Sequence, residues 1–239
     1  MFRKLIIMLQ YLGAIIAAIA DILSGWLALH SKMKDLAPRY LIAFAAGMLV
    51  SVAFFNIMPA ADIGSNSIYL GLGFLVFYVL ERVMMIHACG EKECETHTMG
   101  TVTVFGMALD NVVDGIGIVI GFAISPILGI AITAAVVIHE IPQGMTSALI
   151  MQNAGYARRK IFSILGLAGA LYPIGAAVSS FIPAETHPAI LAFIAGDFIY
   201  IGASDLLPEA HKKFNFRVIF SVILGAVFVL ALRAFFPIA

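Results

Sequence analysis

The stretch "ALDNVVDG", residues 108–115, places three polar side chains inside a long apolar run. The surrounding segment, residues 100–123, is long enough for a helix that crosses a bilayer, which needs roughly 20 residues. Charged groups are costly in that setting, so they are usually retained for a function. Asp110, Asn111 and Asp114 are therefore candidate functional residues of a membrane-spanning helix.

The whole chain has the composition of an integral membrane protein. Hydrophobic residues make up 62% and charged residues 12% of it, whereas soluble domains are about 45–50% apolar and about 25% charged. The apolar runs are continuous, which favours helices over the alternating strands of a barrel. We predict one all-α transmembrane domain over residues 1–239, an eight-helix bundle whose spans lie at about 5–29, 40–61, 66–87, 100–123, 126–151, 160–182, 188–209 and 217–236.

Loop charges predict the orientation of the chain. The first segment resembles a secretory signal, but its apolar run continues past Asp21, so we expect an uncleaved span. Lys and Arg occur in the loops that follow segments 1, 3, 5 and 7, and are absent from the other three loops. The positive-inside rule then places both termini outside the cytoplasm of a multi-pass protein of the plasma or inner membrane. The lipid bilayer is an expected partner, and nucleic acid is not.

An internal repeat is visible in two pairs of segments. "FAAGMLVSVAFFNIMPAA", from Phe44, aligns without a gap with "FIAGDFIYIGASDLLPEA", from Phe193. "DNVVDGI", from Asp110, aligns in outline with "HEIPQGM", from His139. Each pair joins an odd segment to an even one, so its members cross the membrane in opposite directions. This pattern predicts an inverted-topology repeat, as in many secondary transporters.

Six polar residues in segments 4 and 5 form the candidate site. Residues four apart share one face of a helix, so Asp110 pairs with Asp114 and His139 pairs with Gln143. Asn111 and Glu140 flank these pairs. If the two segments pack side by side, all six side chains converge in the middle of the bundle.

Carboxylate and amide oxygens with an imidazole nitrogen form a ligand set for a divalent transition metal. Two aspartates would neutralise such an ion. A proton- or monovalent-cation-coupled transporter could use the same acids, and a polar cluster that only orients helices is the structural alternative. "HEIPQ" also resembles the His-Glu-x-x-His motif of zinc proteases, but Gln143 replaces the second histidine, so a membrane metalloprotease is a remote alternative and no enzyme is expected.

Other polar residues complete the expectations. The loop "HACGEKECETH", residues 87–97, gathers four potential metal ligands, His87, Cys89, Cys94 and His97. It either captures metal or is an ordinary solvated loop. Asp21 and Asp197 lie deep in their spans and should face the interior or water. Pro142 should kink or open segment 5 beside His139, because proline removes a helical hydrogen bond.

With these motifs in view, the chain resembles the ZIP family of divalent-metal transporters. "DNVVDG", "HEIPQG" and "DFIYIGASDLLPEAHK", from Asp197, carry the resemblance. It implies an eight-helix bundle with inverted repeats, frequent homodimers, and transport of zinc or a related divalent metal toward the cytosol. By position, one metal site matches Asp110, Asp114, His139 and Gln143, and the adjoining site matches Asn111, Asp114, Glu140 and Gln143.

Three positions depart from the family pattern. Asp110 stands where most members have His, Gln143 where many have Glu, and Tyr172 where many two-metal members have Glu. The first two changes cancel in charge, whereas the third removes a bridging carboxylate. Zinc remains the first candidate for the transported ion, with iron, manganese and cadmium as alternatives. The metal would be cargo, and no separate cofactor is expected.

Overall fold

The computed structural model describes residues 2–30, 37–89, 101–212 and 215–235, and regular structure in these ranges is helical throughout. Eight of these helices are long and apolar enough to cross a membrane, which confirms the all-α class with eight spans. The spans are α1 (Phe2–His30), α2 (Ala37–Val52, continued by Ala53–Ile57 and Met58–Ala60), α3 (Ile63–Cys89), α4 (Thr101–Ile124), α5 (Pro126–Asn153), α6 (Arg158–Gly169 and Leu171–Val178), α7 (His187–Ile199, continued by Tyr200–Leu206 and Leu207–His211) and α8 (Phe216–Phe235).

Helix α5 shows how local sequence sets the bounds of a span. The Ser125 hydroxyl accepts a hydrogen bond from the backbone N–H of Leu128, and Pro126 occupies the first turn, where its missing N–H costs nothing. Gly155, with φ of 82°, follows the helix in the left-handed conformation that commonly ends one. The expected opening at Pro142 is not found, because the helix runs unbroken through it. Proline removes a single hydrogen bond, and packing against α1 and α4 holds the helix together.

The eight spans pack as two groups of four. Within the first group, α1 packs chiefly along α5, and α4 packs along α5 and α6. Within the second group, α2 packs along α8, and α3 packs along α7. The groups meet mainly where α2 contacts α5, with smaller contacts of α4 against α3 and α7. We call them the α4–α5 group and the α2–α7 group.

The repeat predicted for segments 2 and 7 has a structural counterpart in two glycine crossings. Gly47 and Gly196 occupy equivalent positions in the gap-free alignment. A Cβ added at Gly47 would lie 2.1 Å from the Val222 carbonyl oxygen of α8, and one added at Gly196 would lie 2.0 Å from the Leu70 carbonyl oxygen of α3. Each position therefore needs a glycine for close approach of two helices.

The same two helices share a backbone irregularity. Both change from α-helical to π-helical hydrogen bonding, over Ala53–Ile57 in α2 and over Tyr200–Leu206 in α7. In the gap-free alignment the first segment falls entirely within the second, and Asn56 matches Asp205. Such segments are rare and are frequent at functional sites. The two halves of the repeat are thus alike in backbone detail as well as in sequence.

Candidate metal centre

Helices α4 and α5 lie side by side and bring most of the predicted site together. Four side chains, from Asp110, Asp114, His139 and Glu140, can each present one ligand atom within 4.8 Å of all the others. All four residues are buried, and three of them are completely inaccessible to solvent. The centre therefore lies inside the α4–α5 group, and the i, i+4 spacing that predicted it is what aligns each pair on one helix face.

His139 has one ring nitrogen free for a cation. Its Nδ1 lies 3.1 Å from the carbonyl oxygen of Ala135, one turn earlier. A neutral ring donates its proton to that acceptor and leaves a lone pair on Nε2. This Nε2 lies 3.0 Å from Glu140 Oε1, 3.5 Å from Asp114 Oδ2 and 4.0 Å from Asp110 Oδ2. A lone pair facing carboxylate oxygens calls for a cation between them, either a proton or a metal ion.

The two amide side chains of the predicted site are engaged in hydrogen bonds. Asn111 donates from Nδ2 to the carbonyl oxygen of Ala168 on α6 at 3.0 Å, which leaves its buried Oδ1 without a partner. Gln143 is half-buried and donates from Nε2 to Asp110 Oδ2 at 3.3 Å. In this arrangement Gln143 orients a carboxylate of the centre.

Three buried residues from other helices interact electrostatically with the centre, and the six-residue prediction did not include them. Asp21 on α1 is electrostatically linked to Glu140, His139 and Asp110. Tyr172 on α6 is linked to Glu140 and Asp114. Asp197 on α7 is linked to Asp110, Asp114 and His139, and the neighbouring Phe198 ring lies 6.1 Å from the His139 ring. The sequence signal for the two aspartates was their depth in apolar spans.

The charge of the centre is strongly unbalanced. The described residues include five completely or almost completely buried acids, and the buried polar side chains include no Lys or Arg. Buried oxygen atoms without hydrogen-bond partners are concentrated here, on Asp21, Asp110, Asp114, Glu140 and Asp197. An unpaired carboxylate in a membrane interior is costly. The arrangement is suited to bind cations, and divalent ions would balance it most efficiently.

The 87–97 loop cannot be added to this description. Cys94 and His97 lie outside the described residues, as do the side chains of His87 and Cys89. Metal capture by this loop remains a prediction.

Comparison with known proteins agrees with the geometry. A family model described as "ZIP Zinc transporter" matches residues 86–233, which include the whole of α4 and α5. The chain belongs to the ZIP zinc transporter family. This confirms the resemblance drawn from the three motifs and, with the eight apolar helices, makes the chain a multi-pass membrane protein.

Several curated ZIP proteins are similar to the chain. Zinc transporter ZIP13 of Pongo abelii is 27% identical over 197 residues, which cover 73% of this chain and 59% of the relative. The Zinc transporter ZIP13 homolog of Drosophila melanogaster is 30% identical over 150 residues, covering 60% and 42%. Metal cation symporter ZIP8 of Rattus norvegicus is 26% identical over 130 residues, covering 54% and 28%.

The chain spans less than two thirds of the length of each of these three ZIP proteins. Their names are those of transporters, in agreement with the expectation that the chain is not an enzyme.

Proposed function

We propose that this ZIP family member is a secondary carrier or facilitator that moves divalent transition-metal ions across the membrane toward the cytosol. The observation that carries the proposal is the position of His139 Nε2, buried between α4 and α5 and 3.0–4.0 Å from three carboxylates. Asp110, Asp114 and His139 would bind the ion directly. Gln143 would hold Asp110 in place, and Asn111 and Glu140 would complete an adjoining position.

Zinc is the first candidate for the ion. One imidazole nitrogen with carboxylate oxygens suits zinc, and it also suits iron, manganese and cadmium, since oxygen-rich sites discriminate weakly among these metals. The relatives support the order, because two of the three are named zinc transporters and the third a metal cation symporter.

The two helix groups suggest how the ion would pass. The binding residues belong to the α4–α5 group, and the helices of the two groups have fewer close contacts with each other than within each group. Movement of one group against the other would expose the centre to each side in turn. A bound ion would balance the carboxylates while the centre is closed to both sides, where unpaired charges are costly.

We further propose a plasma or inner membrane location with both termini outside the cytoplasm, and a homodimeric assembly. Two single cysteines test the orientation in a background without native cysteines: one at Glu185, expected outside, and one at Arg158, expected inside. An impermeant thiol reagent should label only the first in intact cells. Light scattering of the detergent-solubilised protein should give the mass of two chains.

Zinc uptake into proteoliposomes tests the proposed function. Wild-type protein should transport zinc, and Asp114→Ala should reduce uptake to that of protein-free vesicles, because both Asp114 oxygens are buried at the centre. Glu185→Ala is the matched control, since it removes an exposed acid between α6 and α7. Competition by iron, manganese and cadmium ranks the metals.

Normal uptake by Asp114→Ala would contradict the ligand assignment. If well-inserted wild type moved protons or monovalent cations and none of the four metals, the same acids would serve the alternative transporter.

A further inference from the structure

Asp21 of α1 is a buried acid that packs against the binding helix α5. The residue is completely buried, and neither carboxylate oxygen has a hydrogen-bond partner. Among the acids, Glu140 interacts most strongly with its carboxylate, followed by Asp110. A buried carboxylate with no donor is stable only if it is protonated or if a cation lies close to it. Asp21 is thus a buried acid without a role in the site proposed so far.

The crossing of α1 and α5 fixes where this carboxylate lies. A Cβ added at Gly144 would lie 2.5 Å from Asp21 Oδ1 and 2.4 Å from Ser24 Oγ. Because Cβ atoms point toward the N-terminus of a helix, that space covers the turn between Glu140 and Gly144. The Ser24 hydroxyl, which bonds the Asp21 carbonyl oxygen at 2.8 Å, also reaches the carbonyl oxygen of Glu140 at 3.5 Å. Asp21 Oδ1 thus occupies the place of a missing side chain on the α5 face that carries Glu140.

Charge counting points in the same direction. One divalent ion at Asp110, Asp114 and His139 balances two carboxylates. Glu140, Asp21 and Asp197 remain, all completely buried, and no Lys or Arg is among the buried residues described. Tyr172 of α6, also completely buried, contributes a hydroxyl and no charge. A single ion thus leaves three buried carboxylates unbalanced, and two of them, Asp21 of α1 and Glu140 of α5, belong to the helices that cross at Gly144.

We infer that Asp21 is a further metal ligand and that, with Glu140, it holds a second divalent cation beside the ion at Asp110, Asp114 and His139. The inference rests on the proposed metal transport. The carboxylate that completes the two-ion centre would then come from α1. Position 172 of α6, where many two-metal members of the family have Glu, carries a tyrosine here. The Asn111 Oδ1 atom, which is buried and free, is a further oxygen available to this ion.

Zinc stoichiometry of the purified chain tests the inference. The background variant replaces His87, Cys89, Cys94 and His97, so that the 87–97 loop does not contribute ions. Equilibrium dialysis against zinc, followed by elemental analysis, should give two ions per chain for this background. Asp21→Asn, which keeps the shape and removes the charge, should give one ion. Asp21→Glu should restore the second, and Ser24→Ala should keep two.

The outcomes separate this inference from the proposed function. A single ion in the background protein, or two ions in Asp21→Asn, would overturn the role of Asp21. The single-ion outcome would overturn the inference even if a variant fails to fold, and Asp21→Glu, which keeps the charge, tests the role of Asp21 beside Asp21→Asn. Zinc uptake that is lost in Asp114→Ala would leave the transport proposal standing in either case. Uptake that survives Asp114→Ala would contradict the transport site itself.

Discussion

Helices α1 and α6 cross the binding helices in the same way and present different chemistry to them. In the α1–α5 crossing, a Cβ at Gly144 would lie 2.4 Å from the Asp21 carbonyl oxygen, and in the α6–α4 crossing, a Cβ at Gly115 would lie 2.1 Å from the Tyr172 carbonyl oxygen. Gly115 and Gly144 are equivalent positions of the segment 4 and 5 alignment. At matching crossings, one helix therefore supplies a carboxylate and the other a phenol.

The two halves of the inverted repeat therefore share the close approach of one helix backbone to another. They do not share the charge of the side chain at the crossing. Close approach needs a glycine on each binding helix, since the contact is with a backbone carbonyl that cannot move alone. The side chain beside that carbonyl is free to vary. Ion binding in this protein is accordingly expected to be uneven, with the stronger negative field on the α1 side.

The largest expected effect is the loss of stability when a methyl group is added at either glycine crossing. Gly115→Ala and Gly144→Ala should each destabilise the protein by about 3 kcal/mol, the upper end for overpacking, because the added methyl meets a backbone oxygen. Gly71→Ala is the control, because a Cβ there has no neighbour within 4 Å. Thermal unfolding in detergent measures the effect. Wild-type stability of either crossing variant would show that the helices are not held this closely.

The next largest effect is expected on zinc uptake, when Asp21 of α1 and Tyr172 of α6 are replaced in turn. Asp21→Asn should lower zinc uptake at limiting zinc by roughly tenfold, the lower end for groups that support metal sites. Tyr172→Phe, which removes only a hydroxyl, should stay within about twofold of wild type, since removal of one neutral hydrogen-bonding group has a modest net cost. Initial rates in proteoliposomes measure both. Equal losses in the two variants would mean that α1 and α6 contribute alike.

A smaller effect is expected from the second pair of equivalent helices. Asp197 of α7 corresponds to Met48 of α2 in the gap-free alignment, so Asp197→Met makes the two positions identical. The carboxylate belongs to the α2–α7 group and acts on the centre from outside it. Uptake should fall roughly three- to fivefold, less than for loss of a ligand, while zinc stoichiometry stays unchanged. Loss of one bound ion would instead make Asp197 a ligand.

The smallest effect is expected at Ser24. Its hydroxyl bonds the Asp21 carbonyl oxygen within one turn of α1, so Ser24→Ala should cost no more than about 1 kcal/mol of stability. Uptake should remain within about twofold of wild type, because the Asp21 carboxylate itself is retained. A tenfold loss would show that Ser24, and not only Asp21, determines binding.

Much of the fold could be predicted because membrane spans are recognisable in a sequence from their length and apolar composition. The central cluster could also be predicted, since Asp110 and Asp114, like His139 and its turn mate Gln143, must share a helix face. Family motifs then fixed which helices carry it.

The remainder depends on packing that no local pattern encodes. Asp21 was recognisable as a costly acid, but its place beside Gly144 requires knowing that α1 packs on α5. Small residues permit many such helix pairs without choosing among them. The direction of the Gln143 amide and the unbroken path of α5 through Pro142 likewise follow from neighbouring helices.

The matched π-helical segments of α2 and α7 bear on how the internal repeat arose. A π-helical turn is in effect one residue inserted into an α-helix, which rotates everything beyond it by about 100°. The segments Ala53–Ile57 and Tyr200–Leu206 overlap in an alignment that needs no gap. Two independent insertions would have to arise at the same place and both persist. A single insertion, present before the sequence shared by α2 and α7 was duplicated, accounts for both more simply.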